Sequence, residues 1–406
     1  MKHDQGNKAL CVLNFSGRYG GAEKRYLTLF RSLMNSDKDY YLIVNTKLYR
    51  LFLNNGILQP HDRIILFSDG GDGIPKEKKG GKELPTRNRD RCRSIKQFLG
   101  GWKYFLKTLV LWLRFSWFFI RQIRRNRISR IYGVWQGGIW TWMLCRLLNV
   151  ELFYSVNATG KLLVKKTIRK FFDSQYYVLR HAQLLDFLSP SLPDEYFQAL
   201  GEKHFRGQLV VTPNSFIDYT RYYSAPQKQP WVVFLGRLEP VKNPMLFLKA
   251  VKIFQDKYPK VQARFFVMGT GAMLSEMQQY VEKYQLRDVE FTGLHQRPWD
   301  VLQKSSVFAS LQKGENYPSQ SLIEAMACEN GIVATDVGNT RRLVTEKDGF
   351  LITETPEIIA DVFYTLLSKP TIRKEFGTNA RKKVMAEHTL ERFVEWFDAL
   401  MERPNH

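Results

Sequence analysis

Cysteine is scarce in this chain and never clustered. Cys11, Cys92, Cys145 and Cys328 lie far apart, with no C-x-x-C among them. That spacing offers neither a structural zinc site nor a disulfide framework, and it fits a reducing compartment. Long apolar runs are also missing. The opening MKHDQGNKALCVLNFSG holds only a short one, which reads as a strand and not as a secretory signal. The third shortage is acid, and it is local. From Arg91 to Arg130 there are eleven Lys or Arg and no Asp or Glu. Residues 1–230 carry 38 basic side chains against 17 acidic ones, a net +21, whereas residues 231–406 carry 23 against 22, a net +1. An excess confined to one half is a statement about partners. That half is expected to face something anionic: a membrane, a nucleic acid or an acidic polymer.

What is present suffices for two cores. A chain of 406 residues with 44% apolar side chains has the length of two domains or three. In the first half, ALCVLNF, SGRYGGAEKR, YLTLFRSLMN and YYLIVNT read as strand, loop, helix and strand. RIYGVWQGG, IWTWMLCRLLN and ELFYSVNATG repeat that order. Residues 69–94 are rich in Gly, Lys and Pro and read as a mobile loop. Residues 211–230, polar and bounded by proline, read as a linker. Beyond it strands and helices alternate sharply from WVVFLG to DGFLIT, and TLERFVEWFDALMER closes the chain as an amphipathic helix. The expectation is a doubly wound second domain whose ligands bind at strand C-termini.

Three motifs bear chemistry. FLGRLEPVKN sets Arg237 and Lys242 five residues apart on the loop after a strand, which suits a diphosphate, or else two solvated charges. MGTGAML places Gly269 and Gly271 in the next strand-to-helix turn. KGENYPSQSLIEAMACENG holds Glu315 and Glu324. Ser321-x-x-Glu324 reads as a capping box, which would make Glu324 a helix cap; the alternative is a carboxylate accepting from a ribose diol.

Taken in order, SGRYGGAEKR, LGRLEPVKN, GTGAML, VEFTGL, ENYPSQSLIEAMAC and VATDVG resemble the family-4 retaining glycosyltransferases (group 1) of the GT-B fold. The likeness is close over 207–352 and thin before it. It implies an α/β architecture of two Rossmann-like doubly wound domains facing a central cleft. The expected domains are 1–228 for the acceptor and the membrane, 229–385 for the nucleotide sugar, and a helix over 386–406 crossing back to the first. The resemblance also implies roles. Arg237 and Lys242 neutralise the donor diphosphate, Glu324 holds the ribose hydroxyls, and Gly20 and Gly21 approach the donor phosphates. In the family pattern the first glutamate lies eight positions before the second; here that position is Asn316, and Glu315 lies nine before. Either Glu315 is aimed at the donor sugar by the extra loop residue, or Asn316 makes the contact without charge. Many members carry a histidine where this chain has Asn157, so Asn157 is a candidate sugar contact. No metal or other cofactor is implied, because cations and helix dipoles stabilise the leaving diphosphate.

One further segment concerns the acceptor. Lys96, Lys103, Lys107, Arg114, Arg121 and Arg125 fall within about 40° of one another on a helix, beside Trp112, Trp117 and other aromatics. The run is too short and too interrupted to span a bilayer. It reads as an interfacial helix, or as a packed helix with a charged edge. A second basic patch, KLLVKKTIRK, covers 161–170.

These readings converge on an enzyme at the cytoplasmic membrane face. It would move a sugar from a nucleotide-diphosphate donor to a lipid-linked or polysaccharide acceptor with retention, without binding nucleic acid. Another GT-B enzyme, such as a nucleotide-sugar epimerase, or a non-catalytic glycan- or partner-binding member are the alternatives.

Overall fold

The computed structural model describes residues 7–15, 21–34, 39–54, 56–68, 93–157, 174–295 and 297–404, and for 93–105 the backbone only. Most of the predicted loop 69–94, and the whole basic patch 161–170, fall outside these residues.

The chain divides into two compact units. The first comprises residues up to Phe187, Leu192–Val211 and the residues from Met401 on; the second comprises Leu188–Ser191 and Thr212–Leu400. Of the stretch 211–230, read as a linker, the residues from Thr212 on belong to the second unit, and Ile217 and Tyr222 are buried in its core.

In the first unit β1 (Asn7–Leu13), β2 (Tyr40–Asn45), β3 (Ile64–Phe67), β4 (Ile128–Trp135), β5 (Glu151–Val156), β6 (Leu184–Phe187) and β7 (Gln208–Val211) form one sheet. Its order is β3-β2-β1-β4-β5-β6-β7, with every pairing parallel. Helices α1 (Gly21–Met34), α2 (Thr46–Asn54), α3 (Arg93–Arg125), α4 (Gln136–Leu148), α5 (Ser174–His181) and α6 (Leu192–Leu200) make the crossovers. Strands covered on both faces are continuous apolar runs, and Leu10, Cys11, Val12 and Leu13 are all buried accordingly.

The second unit repeats the plan. β8 (Gln229–Leu235), β9 (Arg264–Met268), β10 (Val289–Gly293), β11 (Ser305–Ser310), β12 (Gly331–Thr335) and β13 (Gly349–Ile352) stand in the order β10-β9-β8-β11-β12-β13, again parallel. Its helices are α7 (Pro244–Lys257), α8 (Leu274–Lys283), α9 (Trp299–Leu302), α10 (Gln320–Ala327), α11 (Pro356–Ser368), α12 (Pro370–Glu387) and α13 (Leu390–Met401). In both sheets the order reverses beside the first strand. Loops at the strand C-termini diverge there and leave room for a ligand.

Helix α3 packs and projects at once. Phe115, Phe119 and Ile123, spaced by four, are buried, and Phe115 meets Phe67 edge-on at 5.1 Å. The opposite face presents Leu106, Leu109, Val110, Leu113 and Trp117, between 40% and 68% exposed. Among the described residues no helix is long and apolar enough to cross a membrane.

Candidate functional site

The loop after β8 is shaped by contact with the loop after β9. The Leu238 amide donates to the Thr270 carbonyl at 2.9 Å. Gly269 has φ +143, and a Cβ there would lie 1.9 Å from the Gly236 carbonyl oxygen. No side chain fits between these two backbones. The motif then tightens into a single 3-10 turn, Pro240–Lys242, before α7 begins at Pro244. Arg237 and Lys242 come together on this loop in unequal settings. The Arg237 guanidinium is exposed and pairs with Glu239 at 2.7 Å. Lys242 is half-buried, and its Nζ donates to Gln312 Oε1. Burial, and then the Arg237 charge, lower its pKa to about 8. A small hollow beside it is also lined by Ser310, Gln312 and Ser321.

Gln312 links this loop to the next one, since its Nε2 donates to the Glu315 carbonyl. The Glu315 side chain corrects an expectation: it is turned into the protein. Ser189 Oγ (2.8 Å), Ser191 Oγ and Asn339 Nδ2 (2.7 Å) donate to Oε2. The amides of Asn316 (3.0 Å), Tyr317 (2.9 Å) and Asn339 (3.0 Å) donate to Oε1. Burial pushes this carboxyl up, but the hydrogen bonds from Ser191, Asn339 and Ser189 outweigh it and hold the group below the ordinary carboxylate range. Gly338, at φ +50, lets the loop after β12 close over it, as a Cβ there would sit 2.9 Å from the Glu315 Cα. Both oxygens are thereby committed, so the extra loop residue does not aim Glu315 outward. Asn316 is the contrasting neighbour. It is 2% exposed and its Nδ2 donates to Ser310 at 3.1 Å, while its buried Oδ1 has no partner among the described residues.

Glu324 lies in the second turn of α10, buried. The capping box read from Ser321 does not form: the N-cap is Ser319, and Ser321 sits inside the first turn. Glu324 instead accepts from Gln320 Nε2 at 3.4 Å and from the Tyr222 hydroxyl. Burial, then the Glu324 charge, drive the Tyr222 pKa far above its ordinary value, so the phenol stays a donor.

In the first unit Gly20 lies outside the described residues, and Gly21 opens α1 with open space where a Cβ would stand. Asn157, just past β5, ends a polar chain: its Nδ2 donates to Ser155 Oγ (2.7 Å), which meets the Tyr26 hydroxyl (2.8 Å). Tyr26 meets Tyr132 (2.8 Å), and Tyr132 donates to buried Asp186. On α3, Lys107, Arg114, Trp117, Arg121 and Arg125 are exposed, and Arg121 covers the Trp117 ring at 5.6 Å. Trp112 departs from that face: it is half-buried, its indole N–H donating to the Trp140 carbonyl at 3.4 Å. Lys96 and Lys103 are on α3 where only the backbone is described. Among the described residues no group of three or more His, Cys, Asp or Glu is placed to hold a metal.

The sequence did not point to Ser189, Ser191, Tyr222, Gln312 or Asn339. Only the hydroxyl pair in LSPSLP and the asparagine after DVG were available as signals, and neither names its partner.

Comparison with known proteins follows the same division. The model of the family described as Glycosyl transferases group 1 matches residues 218–383. A Campylobacter jejuni alpha-1,4-N-acetyl-D-galactosaminyltransferase named for an undecaprenol-linked substrate is 27% identical over 203 residues, 49% of this chain and 56% of its own length. A poly(ribitol-phosphate) alpha-N-acetylglucosaminyltransferase of Staphylococcus aureus is 24% identical over 233 residues, 55% of this chain and 45% of its own length. The chain thus spans about half the length of these two relatives. Anabaena HepE, solved with UDP and glucose, superposes with a TM-score of 0.71 at 15% identity, covering 98% of this chain and 100% of that one. Staphylococcus aureus TarM, solved with UDP among its ligands, does so with a TM-score of 0.66 at 12% identity, covering 98% and 100%. Residues 218–383 of this chain are thus similar to the group 1 glycosyltransferases, and its two parallel sheets share the GT-B fold of these solved structures.

Proposed function

We propose that the protein is a retaining, metal-independent glycosyltransferase. It takes a sugar from a nucleotide-diphosphate donor and passes it to a lipid-linked or polysaccharide acceptor at the cytoplasmic face of a membrane. The carrying observation is the loop after β8. There a half-buried Lys242 ammonium, lowered to about 8, stands beside Arg237 without a carboxylate of its own among the described residues. Two cations held close together at a cost favour a dianionic group between them, as a leaving diphosphate supplies. Glu324 holds the donor ribose. Because Glu315 is committed inward, the sugar contact falls to Asn316, whose Oδ1 lacks a partner. Asn157 is held as a further sugar contact by Ser155.

The membrane reading is supported by the outer face of α3, where exposed Leu106, Leu109, Val110, Leu113 and Trp117 lie beside Lys107, Arg114 and Arg121. The undecaprenol-linked substrate named for the Campylobacter relative is in keeping with it. Calorimetry with UDP and other nucleoside diphosphates tests the donor site, and the anomeric configuration of the product tests retention. Unchanged diphosphate binding by Arg237→Ala and Lys242→Ala would remove the donor reading. For the membrane, Gln at Lys107, Arg114 and Arg121 together removes about 3 kcal/mol, at about 1 kcal/mol per basic residue. That variant is expected to sediment with anionic vesicles roughly a hundredfold more weakly. Equal sedimentation would leave α3 a packing element alone.

A further inference from the structure

A cavity of about 500 Å³ lies away from the loops described above. It lies in the first unit, at the N-terminal ends of β5, β6 and β7. Val150 to Leu152, Ala182 to Leu184 and Arg206 to Gln208 line it where those strands begin. Gly21 and Asn157 stand at the C-terminal ends of strands in the same sheet. A six-residue strand spans about 20 Å, so this cavity is a separate place.

Its wall is cationic. Arg146, Arg180, Arg206 and Arg403 line it together with His181. Among the described residues Arg180 has Glu202 as a partner at 3.3 Å, and Glu151 in the wall is taken by Arg130. Arg146, Arg206 and Arg403 have no carboxylate partner there: Arg146 donates only to His181 Nδ1 (3.0 Å) and Arg403 only to Gln208 (3.4 Å). The repulsion is registered by His181, whose pKa is lowered by burial and then by Arg146, Arg180 and Arg206. One wall is flat and apolar: the Trp142 indole stacks with His181 at 5.2 Å and with Tyr177 at 5.5 Å.

We propose that this cavity is an anion site for a small phosphorylated molecule, its phosphoryl oxygens held by Arg146, Arg206 and Arg403 and its body resting against Trp142. Three guanidinium forks without carboxylates offer more donors than one carboxylate can accept, whereas phosphoryl groups present several oxygens in the matching geometry. The volume lies in the range of small-molecule sites. The proposal stands apart from the donor reading, whose carrying residues Arg237 and Lys242 lie in the other unit.

Calorimetry of the full chain with inorganic pyrophosphate tests it. Arg146→Gln with Arg206→Gln is expected to weaken one pyrophosphate site at least tenfold while nucleoside diphosphate binding at the Lys242 loop persists. Lys242→Ala is expected to leave the site at Arg146 intact. Unchanged pyrophosphate titration in the double variant overturns the proposal. A readout on the unmodified protein covers the case in which that variant does not fold. Saturating pyrophosphate should raise the titration midpoint of the His181 imidazole followed by NMR, and an unmoved midpoint also overturns the proposal.

Discussion

The loop around Glu315 and the loop around Lys242 are neighbours joined through Gln312, yet they are opposites in polar satisfaction. Around Glu315 six donors converge on two carboxylate oxygens, and the group ionises more readily than usual despite burial. At Lys242 a cation is partly buried beside a second cation and resists ionisation. A charge whose partners are all supplied by the protein holds shape, whereas a charge left short of counter-charge is ready for a ligand. Glu315 is therefore saturated by the protein's own donors, and on the proposed function Lys242 is the group that takes the anion.

The comparison breaks most visibly at Glu315. Glu315→Ala strands several donors at once, at a cost on the order of 3 kcal/mol. If the second unit melts as one cooperative body, within the range of about 150–250 residues, its melting temperature should fall by roughly 6–12 °C. Calorimetric melting within a degree of wild type would show that the network is dispensable. Next in size is the cationic loop. Arg237→Ala and Lys242→Ala each remove a charge-assisted contact worth about 1.5–3 kcal/mol, or ten- to a hundredfold in diphosphate affinity. Stability should hardly change, because Arg237 is exposed; a melting shift as large as that of Glu315→Ala would erase the distinction.

The lowered pKa sharpens it further. Lys242 gives up its proton near pH 8, where an ordinary lysine does so at 10.5. A bound diphosphate favours the protonated form, so binding takes up a proton above pH 8. Affinity should then fall by about tenfold per pH unit there, and be flat below. Arg at position 242 should abolish the slope, because a guanidinium stays charged. Calorimetry across pH 7–9.5 reads both outcomes. The smallest effect is expected at Glu324→Gln. The amide oxygen still accepts from Tyr222, so stability should move by less than about 1 kcal/mol while diphosphate-sugar affinity drops several-fold. Lost stability with retained affinity would make Glu324 structural like Glu315.

Legibility followed the range over which each feature is decided. WVVFLG, RFFVMG and SLIEAMAC were read correctly as β8, β9 and α10, since their periods and flanking glycines act within a few residues. Helices α11 and α12 were not singled out, although Pro356 and Pro370 each mark a first turn. The start of α10 was misplaced because two serines compete for the cap. Ser319 takes the extended backbone of a cap residue, at φ −93 and ψ 109, and leaves Ser321 inside the helix. Trp112 fell on the packed side of α3 because aromatic residues surround that helix. Sequence does not say which of them will meet Trp140.

By itself the sequence determined the alternation of strands and helices, the glycines that let the loops after β8 and β9 touch, the paired Arg237 and Lys242, and the unequal charge of the halves. Each of these depends on residues close in the chain or on composition. Tertiary structure alone decided that Ser189 and Ser191 would occupy a carboxylate more than a hundred positions away. It alone decided that Lys242 would be buried enough to lose its proton near pH 8, and that arginines from positions 146, 206 and 403 would ring one cavity. The strength of a charge depends on the water removed from around it and on the partners brought to it. Both are set by packing between elements distant in sequence, which no local pattern encodes.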